Sequence, residues 1–302
     1  MMRNQPRYLK LKQSGQLRNK IDLAWELTSS CVLCPRECRV QRDQHETGFC
    51  ATGEKAVIAS YAPHFGEEPP LSGSRGSGTI FFGHCNLKCC FCQNWDISVM
   101  GDGIPAEHRQ ISAVMLELQQ RGCHNINLVT PSHVIPQILQ ALDAAIDHGL
   151  NIPIVYNSSG YDRIETLKLL DGVVDIYLPD IKFLDNEIAR QFCDAPDYPG
   201  VVKSAVKEMY RQVGRLVTDE DGIATSGLLV RHLIMPDNLS TTDQVMRFLS
   251  REVTAGTHVN VMGQYHPAGT AARFKALSRM TTPQEYRAGV KLAEKYGLTL
   301  VR

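Results

Sequence analysis

The chain has no excess of charge of either sign: 32 Lys and Arg are balanced by 32 Asp and Glu among 302 residues. A nucleic-acid partner is therefore not expected, because phosphate binding draws on a surplus of basic side chains. Long apolar runs are also missing. Nothing in the sequence is long enough to cross a bilayer, and no Lys/Arg-rich amphipathic stretch marks a membrane-surface helix, so no membrane partner is expected. The first twenty residues are basic and polar and lack the apolar centre of a secretory signal. Low-complexity tracts and short repeats are absent, which excludes a solenoid. With 43% hydrophobic and 21% charged residues, the expectation is a cytoplasmic globular protein, long enough for one large α/β domain with an appendage.

Cysteine, by contrast, is plentiful. Seven of ten sit in two tight groups, Cys31/Cys34/Cys38 (with Cys50 further on) and Cys85/Cys89/Cys90/Cys92. In a reducing cytosol, clustered thiols read as metal or iron–sulfur ligands rather than disulfides. Cys123 and Cys193 stand alone and are expected to be small buried hydrophobes.

Residues 17–29 carry a helical apolar stripe. The stretch 31–77 is poor in periodicity and rich in Cys, Gly and Pro, as expected of an irregular segment pinned by ligands. From residue 78 apolar runs of strand length alternate with helical periods. Strands are predicted at Thr79–Phe82, Ile126–Val129, Ile152–Tyr156, Val173–Leu178, Leu228–Ile234 and Val259–Met262. Helices are predicted near 110–121, 134–148, 162–170, 185–213, 241–253 and 283–296. Such alternation gives βα units on a parallel sheet. Six units are fewer than the eight of a closed TIM barrel, so the predicted fold class is α/β, a partial (β/α)6 TIM-type barrel over 78–302, preceded by the Cys-rich segment 1–77. Asp219-Glu-Asp-Gly222 between short apolar pieces predicts a hairpin ahead of the fifth strand.

The decisive stretch is Phe81-Phe-Gly-His-Cys85-Asn-Leu-Lys-Cys89-Cys-Phe-Cys92-Gln-Asn-Trp95. Its C-x3-C-x2-C spacing directly follows a predicted strand. Three thiolates on one loop can cap three irons of a cubane and leave the fourth without a protein ligand. A structural zinc loop normally takes four ligands in paired C-x2-C steps, and only Cys90 or His84 would complete such a set locally.

This motif resembles that of the radical S-adenosylmethionine (SAM) superfamily. The aromatic Phe91 before the last cysteine, Asn86 after the first, and the continuation Cys92-Gln-Asn resemble the branch of pyruvate formate-lyase activating enzymes and related proteins. The resemblance extends over about residues 78–270. It implies a [4Fe–4S] cluster on Cys85, Cys89 and Cys92 that binds SAM at its open iron and cleaves it reductively to a 5′-deoxyadenosyl radical. It places Phe91 beside the adenine. It also implies SAM contacts at successive strand ends: Thr130 and Ser132, where relatives usually carry a Gly-Gly-Glu type motif; Asn157 in Tyr156-Asn-Ser-Ser-Gly160; Asp180 and Lys182 in Leu178-Pro-Asp-Ile-Lys182; Arg231; and His266 in Gln264-Tyr-His-Pro267. Polar residues at strand C-termini face the reaction centre in such barrels, whereas Thr130-Pro-Ser132 also suits a helix cap and Asp180/Lys182 a structural ion pair.

Cys31, Cys34, Cys38 and Cys50 form C-x2-C-P-x2-C-x11-C. Four thiols suit a zinc ion or a second [4Fe–4S] cluster, and the spacing does not separate the two. Glu67 and Glu68 are expected to be a solvated pair in a loop over the cluster edge. The branch resemblance implies an electron donor such as flavodoxin or ferredoxin, and a glycyl radical enzyme as the partner whose glycine loses hydrogen. The alternatives are a radical SAM enzyme acting on a small molecule or another protein, and a non-enzymatic electron-transfer or structural module.

Overall fold

Alternation of short β-branched runs with amphipathic segments produces the expected layering in the computed structural model, which describes residues 5–301. Among these residues ten strands form one sheet: β1 (Ala56–His64), β2 (Ser77–Phe82), β3 (Ile104–Ala106), β4 (Ile126–Val129), β5 (Ile154–Ser158), β6 (Ile176–Pro179), β7 (Val217–Thr218), β8 (Ala224–Leu233), β9 (His258–Met262) and β10 (Thr299–Leu300). Their order is β10-β9-β8-β6-β5-β4-β2-β1-β3, with β7 attached to β8. The six predicted strands are β2, β4, β5, β6, β8 and β9, and all neighbouring pairs among them are parallel. The parallel set stays open rather than closing on itself: β10 and the antiparallel β1 and β3 extend it at either side.

Helices cover one sheet face. His108–Gln120 begins with a capping box between Glu107 and Gln110, and Pro283–Lys295 with one between Thr282 and Glu285. The long helix expected over 185–213 is two helices, Asn186–Cys193 and Tyr198–Val213. Asp194 adopts φ 50°, and Pro196 removes the N–H that would continue the first helix. The hairpin expected at Asp219–Gly222 joins β7 to β8.

Two stretches differ from expectation. The Cys-rich segment is irregular only to about residue 55, after which β1 pairs antiparallel with β2. The segment 65–76 is anchored in the core rather than loose. Leu71 is fully buried in a separate apolar cluster with Val155, Ile176, Leu178 and Leu229, on the sheet face away from the helices. Pro69 and Pro70 open a short helical turn, Pro69–Ser72, that seats it there. The same seating turns Glu67 and Glu68 inward, so neither is solvated.

The N-terminal helices Tyr8–Gln13 and Gln16–Ser29 brace the opposite end of the strands. The buried Tyr8 hydroxyl donates to Ile152 O at 2.9 Å, and Arg7 N–H to Asp175 at 2.9 Å, just ahead of β5 and β6. The chain then climbs to the C-terminal ends of the strands. There Thr166 Oγ1 donates to Leu33 O at 2.7 Å, and the buried Arg42 guanidinium to His133 O at 2.9 Å.

Period-two alternation along β8 sends Leu229, Arg231 and Leu233 to one face and the fully buried His232 to the other. His232 Nδ1 lies 2.7 Å from Ile181 O, and burial lowers its pKa to about 4. The folded state thus excludes the imidazolium. Its stability is complete above the unfolded-state pKa of about 6.5 and is lost as pH falls toward 4, by up to roughly 3 kcal/mol. His232→Gln is expected to flatten apoprotein stability between pH 6.5 and 4 in urea titrations; an unchanged slope contradicts this account.

Candidate active site

The loop after β2 carries the three thiols of the C-x3-C-x2-C motif, and each is supported by a donor from the chain. Leu87 N–H donates to Cys85 Sγ at 3.3 Å, and Ser98 Oγ–H to Cys92 Sγ at 3.1 Å. Cys89 Sγ lies 3.2 Å from Cys193 Sγ. Burial pushes the Cys85 and Cys92 thiols up, while the Cys193 contact, outweighing burial, brings Cys89 down. The Lys182 charge favours the thiolate at all three. Cys90 is fixed through its backbone: its N–H donates to Phe192 O, and its carbonyl accepts from Thr270 N–H, both at 2.8 Å.

Sulfur-only donors suit iron–sulfur chemistry. Among the described residues no group of three or more His, Cys, Asp or Glu is gathered to hold a single metal ion. A cubane makes a different demand, because it takes each thiolate on a separate iron and holds the three apart. The all-sulfur donor set fits an iron–sulfur cluster.

In front of the thiols lies a cavity of about 230 Å³, lined by Cys89, Phe91, Cys92, Asp180, Lys182 and Arg231 among others. Phe91 is held edge-on to Phe183 and Tyr265, with ring centroids 6.4 Å apart in each case. Gln93 Nε2 donates to Gln264 O at 3.1 Å and ties the cluster loop to the turn after β9. Met235, Met262 and Leu233 supply an apolar wall. Nothing in the spacing of these apolar residues had marked them.

The polar wall is a charge lattice. Arg231 Nε donates to Asp180 at 2.8 Å, Nη2 to Asn157 Oδ1 at 2.5 Å, and Nη1 reaches Glu67 at 3.5 Å. Lys182 Nζ donates to the other Asp180 oxygen at 3.1 Å. Burial works against the Asp180 carboxylate, but Arg231 and Lys182 outweigh it and hold its pKa below the usual range. Burial would likewise lower Lys182, and Asp180 with Cys89 outweighs it, so its pKa is raised and the ammonium persists. Glu67 is pushed up by burial, against the pull of Arg231. Glu68 accepts from Asn260 Nδ2 at 2.9 Å. The sequence pattern had placed this carboxylate pair in solvent; its role follows from the buried seat of Leu71.

The other predicted contacts lie elsewhere. Thr130, with φ 60°, donates its N–H to Asn157 O at 2.9 Å. Ser132 donates to the buried Asp162 at 2.6 Å, and Asp162 also accepts from Tyr156 at 2.8 Å and Ser158 at 2.6 Å. Burial raises the Asp162 carboxyl, and these hydroxyls partly offset it. His266 is exposed, its Nδ1 3.4 Å from Pro267 O.

Cys31, Cys34, Cys38 and Cys50 line one small enclosed pocket. Cys31 and Val40 pair through Cys31 N–H to Val40 O at 2.9 Å, and Phe49 N–H donates to Cys38 Sγ at 3.3 Å. A Cβ at Gly48 would stand 2.8 Å from Cys38 Sγ, so this close approach requires glycine.

A thiol loop at the C-terminal end of the first parallel strand, beside a charged cavity at the mouth of an open barrel, defines an α/β protein with its candidate site at the strand ends. The family model of the radical SAM superfamily matches residues 79–220. The chain is 33% identical over 290 residues to the uncharacterized protein MJ0674 of Methanocaldococcus jannaschii, covering 93% of this chain and 79% of the relative. It is 25% identical over 256 residues to MJ0808 of the same organism, covering 78% and 70%. Its fold is similar to that of a radical SAM methyltransferase from Sphaerobacter thermophilus, with a TM-score of 0.52 at 14% identity, over 74% of this chain and 65% of that one. The chain thus spans a little under two thirds of the length of that structure. The chain belongs to the radical SAM superfamily, whose members use a [4Fe–4S] cluster and SAM.

Hydrogen bonds to cluster sulfurs set cluster potentials. With a cluster held on Cys89, Cys193→Ala, which removes the Cys89 donor, is expected to lower the cluster's reduction potential and shift its EPR g-values, with iron content unchanged. Identical spectra and potential would make Cys193 a packing residue only.

Proposed function

We propose that Cys85, Cys89 and Cys92 hold the [4Fe–4S] cluster and that the adjoining cavity takes SAM. The observation that carries this reading is the convergence on one cavity of Cys89, Cys92 and the Asp180–Lys182–Arg231 lattice, with Cys85 on the same loop. When bound, the cluster supplies the electron that breaks a sulfonium C–S bond of SAM, releasing a 5′-deoxyadenosyl radical that removes hydrogen from the substrate.

The chain's own residues divide the remaining work. Arg231 is fully engaged by Asp180, Asn157 and Glu67, which makes it an anchor. Lys182 spends one hydrogen bond on Asp180, and an ammonium has three, so it directs donors at the SAM carboxylate. Asp180 orients both cations and accepts from ribose hydroxyls. Phe91 offers its ring to the adenine. Asn157 acts through Arg231, whereas Thr130, Ser132 and His266, which do not line the cavity, take no direct part in holding SAM. The electron comes from a flavodoxin- or ferredoxin-type donor. The hydrogen abstracted is a glycine Cα–H of a glycyl radical enzyme, supported by the likeness of Leu178-Pro-Asp-Ile-Lys182 and Cys92-Gln-Asn to the activating branch. Cys31, Cys34, Cys38 and Cys50 hold a second metal centre.

Anaerobically reconstituted protein with dithionite is expected to convert SAM to 5′-deoxyadenosine and methionine, and Cys89→Ala to abolish this. Intact SAM in a fully iron-loaded sample counts against the reading. Loss of a charge-assisted hydrogen bond of about 1.5–3 kcal/mol should weaken SAM binding about 10- to 100-fold in Lys182→Met, measured by calorimetry. A glycyl EPR doublet on an added glycyl radical enzyme tests the substrate; its absence, with 5′-deoxyadenosine still forming, removes the activase role alone.

A further inference from the structure

The second cysteine group is wired to the first. The Asn86 side chain lies close enough to Cys34 to favour its thiolate. Asn86 directly follows Cys85, and its Oδ1 lies 3.9 Å from Cys85 Sγ. Its amide is fixed by donation to Tyr161 O at 2.7 Å, and the side chain is buried. One amide therefore separates a thiol of each group. A second route runs through Arg36, between Cys34 and Cys38 in sequence. Arg36 Nε donates to Asn86 O at 3.0 Å and Nη2 to Cys193 O at 3.2 Å, while Cys193 Sγ touches Cys89 Sγ at 3.2 Å. Two ligands of the SAM cluster are thus reached from one short loop of the other group.

The four thiols surround a common enclosed space, and Cys34, Cys31 and Cys50 lie close enough to influence one another electrostatically. Cys31, Cys34 and Cys50 are buried, whereas Cys38 is partly exposed. The group has an inner edge at Cys34, facing the SAM cluster, and an outer edge at Cys38, facing solvent. A structural zinc staple has no use for this arrangement: zinc is redox-inert, and stapling the segment does not call for contact with the active-site ligands. A redox centre uses both edges.

We infer that Cys31, Cys34, Cys38 and Cys50 hold a second [4Fe–4S] cluster that relays electrons to the SAM cluster past Asn86. The relay rests on the reading of Cys85, Cys89 and Cys92 given above; the four-thiol cluster does not. One electron from a low-potential one-electron donor reduces the outer cluster from 2+ to 1+. That electron then passes to the SAM cluster, which goes from 2+ to 1+ as the outer cluster returns to 2+. No bond forms or breaks in the transfer.

The test is metal and sulfide analysis of anaerobically purified wild-type protein, followed by EPR of the fully reduced sample. About eight irons and eight sulfides per chain, with negligible zinc, are expected for two cubanes. About four irons with one zinc, or four irons with no second metal, overturns the proposal. At this separation the two reduced clusters should show spin–spin broadening or splitting; two independent, additive signals overturn the relay. The C85A/C89A/C92A variant separates the two readings: it should retain about four irons and lose SAM cleavage. Full retention of eight irons there would sink the assignment of Cys85, Cys89 and Cys92 instead. Cys38→Ser should lower iron to about four and leave an unsplit signal from the SAM cluster. Because the wild-type measurements need no variant, poor folding of either one leaves the outcome decided.

Discussion

The burial of Arg231 organises the mouth of this barrel. A guanidinium on a strand face costs several kcal/mol unless anions and dipoles surround it. Here they come from three separate places: Asp180 at the end of β6, Asn157 on β5, and Glu67 from the segment ahead of β2. Each partner is held by something else. Asp180 also binds Lys182, Asn157 lies in the β5 ladder, and Glu67 is carried in by the buried Leu71. The lattice links neighbouring strands at the height where the cluster loop leaves β2, and it fixes Lys182 beside Cys89. In the proposed reading, the cationic part of this lattice faces the carboxylate of SAM, a ligand that also carries an ammonium and a sulfonium.

Sulfur chemistry forms the second layer of this organisation. Burial in an apolar loop disfavours thiolates, as the raised Cys85 and Cys92 thiols show, so ligation has to be supported by donors and positive charge. The chain supplies a backbone N–H, a hydroxyl and a second thiol, one to each sulfur, and Lys182 acts on all three. The N-terminal thiols stand in a similar relation to their surroundings, with Phe49 N–H on Cys38 and the Asn86 side chain beside Cys34. Asn86 therefore borders both groups, and Arg36 ties the Cys-rich segment to the thiol loop.

Much of the fold was legible. Period-two and period-3.6 patterns located all six parallel strands, and the deficit against eight predicted an open barrel. The misreadings have local physical causes. A helical period ran through 185–213, but Asp194 and Pro196 end one helix and start another. The segment 65–76 reads as polar loop because its one deep anchor, Leu71, is surrounded by Gly, Ser, Glu and Pro. Once that anchor is buried the carboxylates follow it inward. Cys193 reads as an isolated hydrophobe because its neighbour Cys89 is 104 residues away in sequence.

What the sequence determined by itself is the chemistry that short spacing encodes. Three thiols within eight residues, directly after an apolar strand, share one loop whatever the rest of the chain does. Tertiary structure alone decided which distant groups meet them. Ser132 is drawn to Asp162, His266 is left at the surface, and Lys182 and Arg231 are brought to the thiols. It also decided that Cys34 would lie one amide from Cys85. The reason is that strand order and the burial of single anchors such as Leu71 and Tyr8 are collective properties of the packed sheet, and no local window of residues contains them.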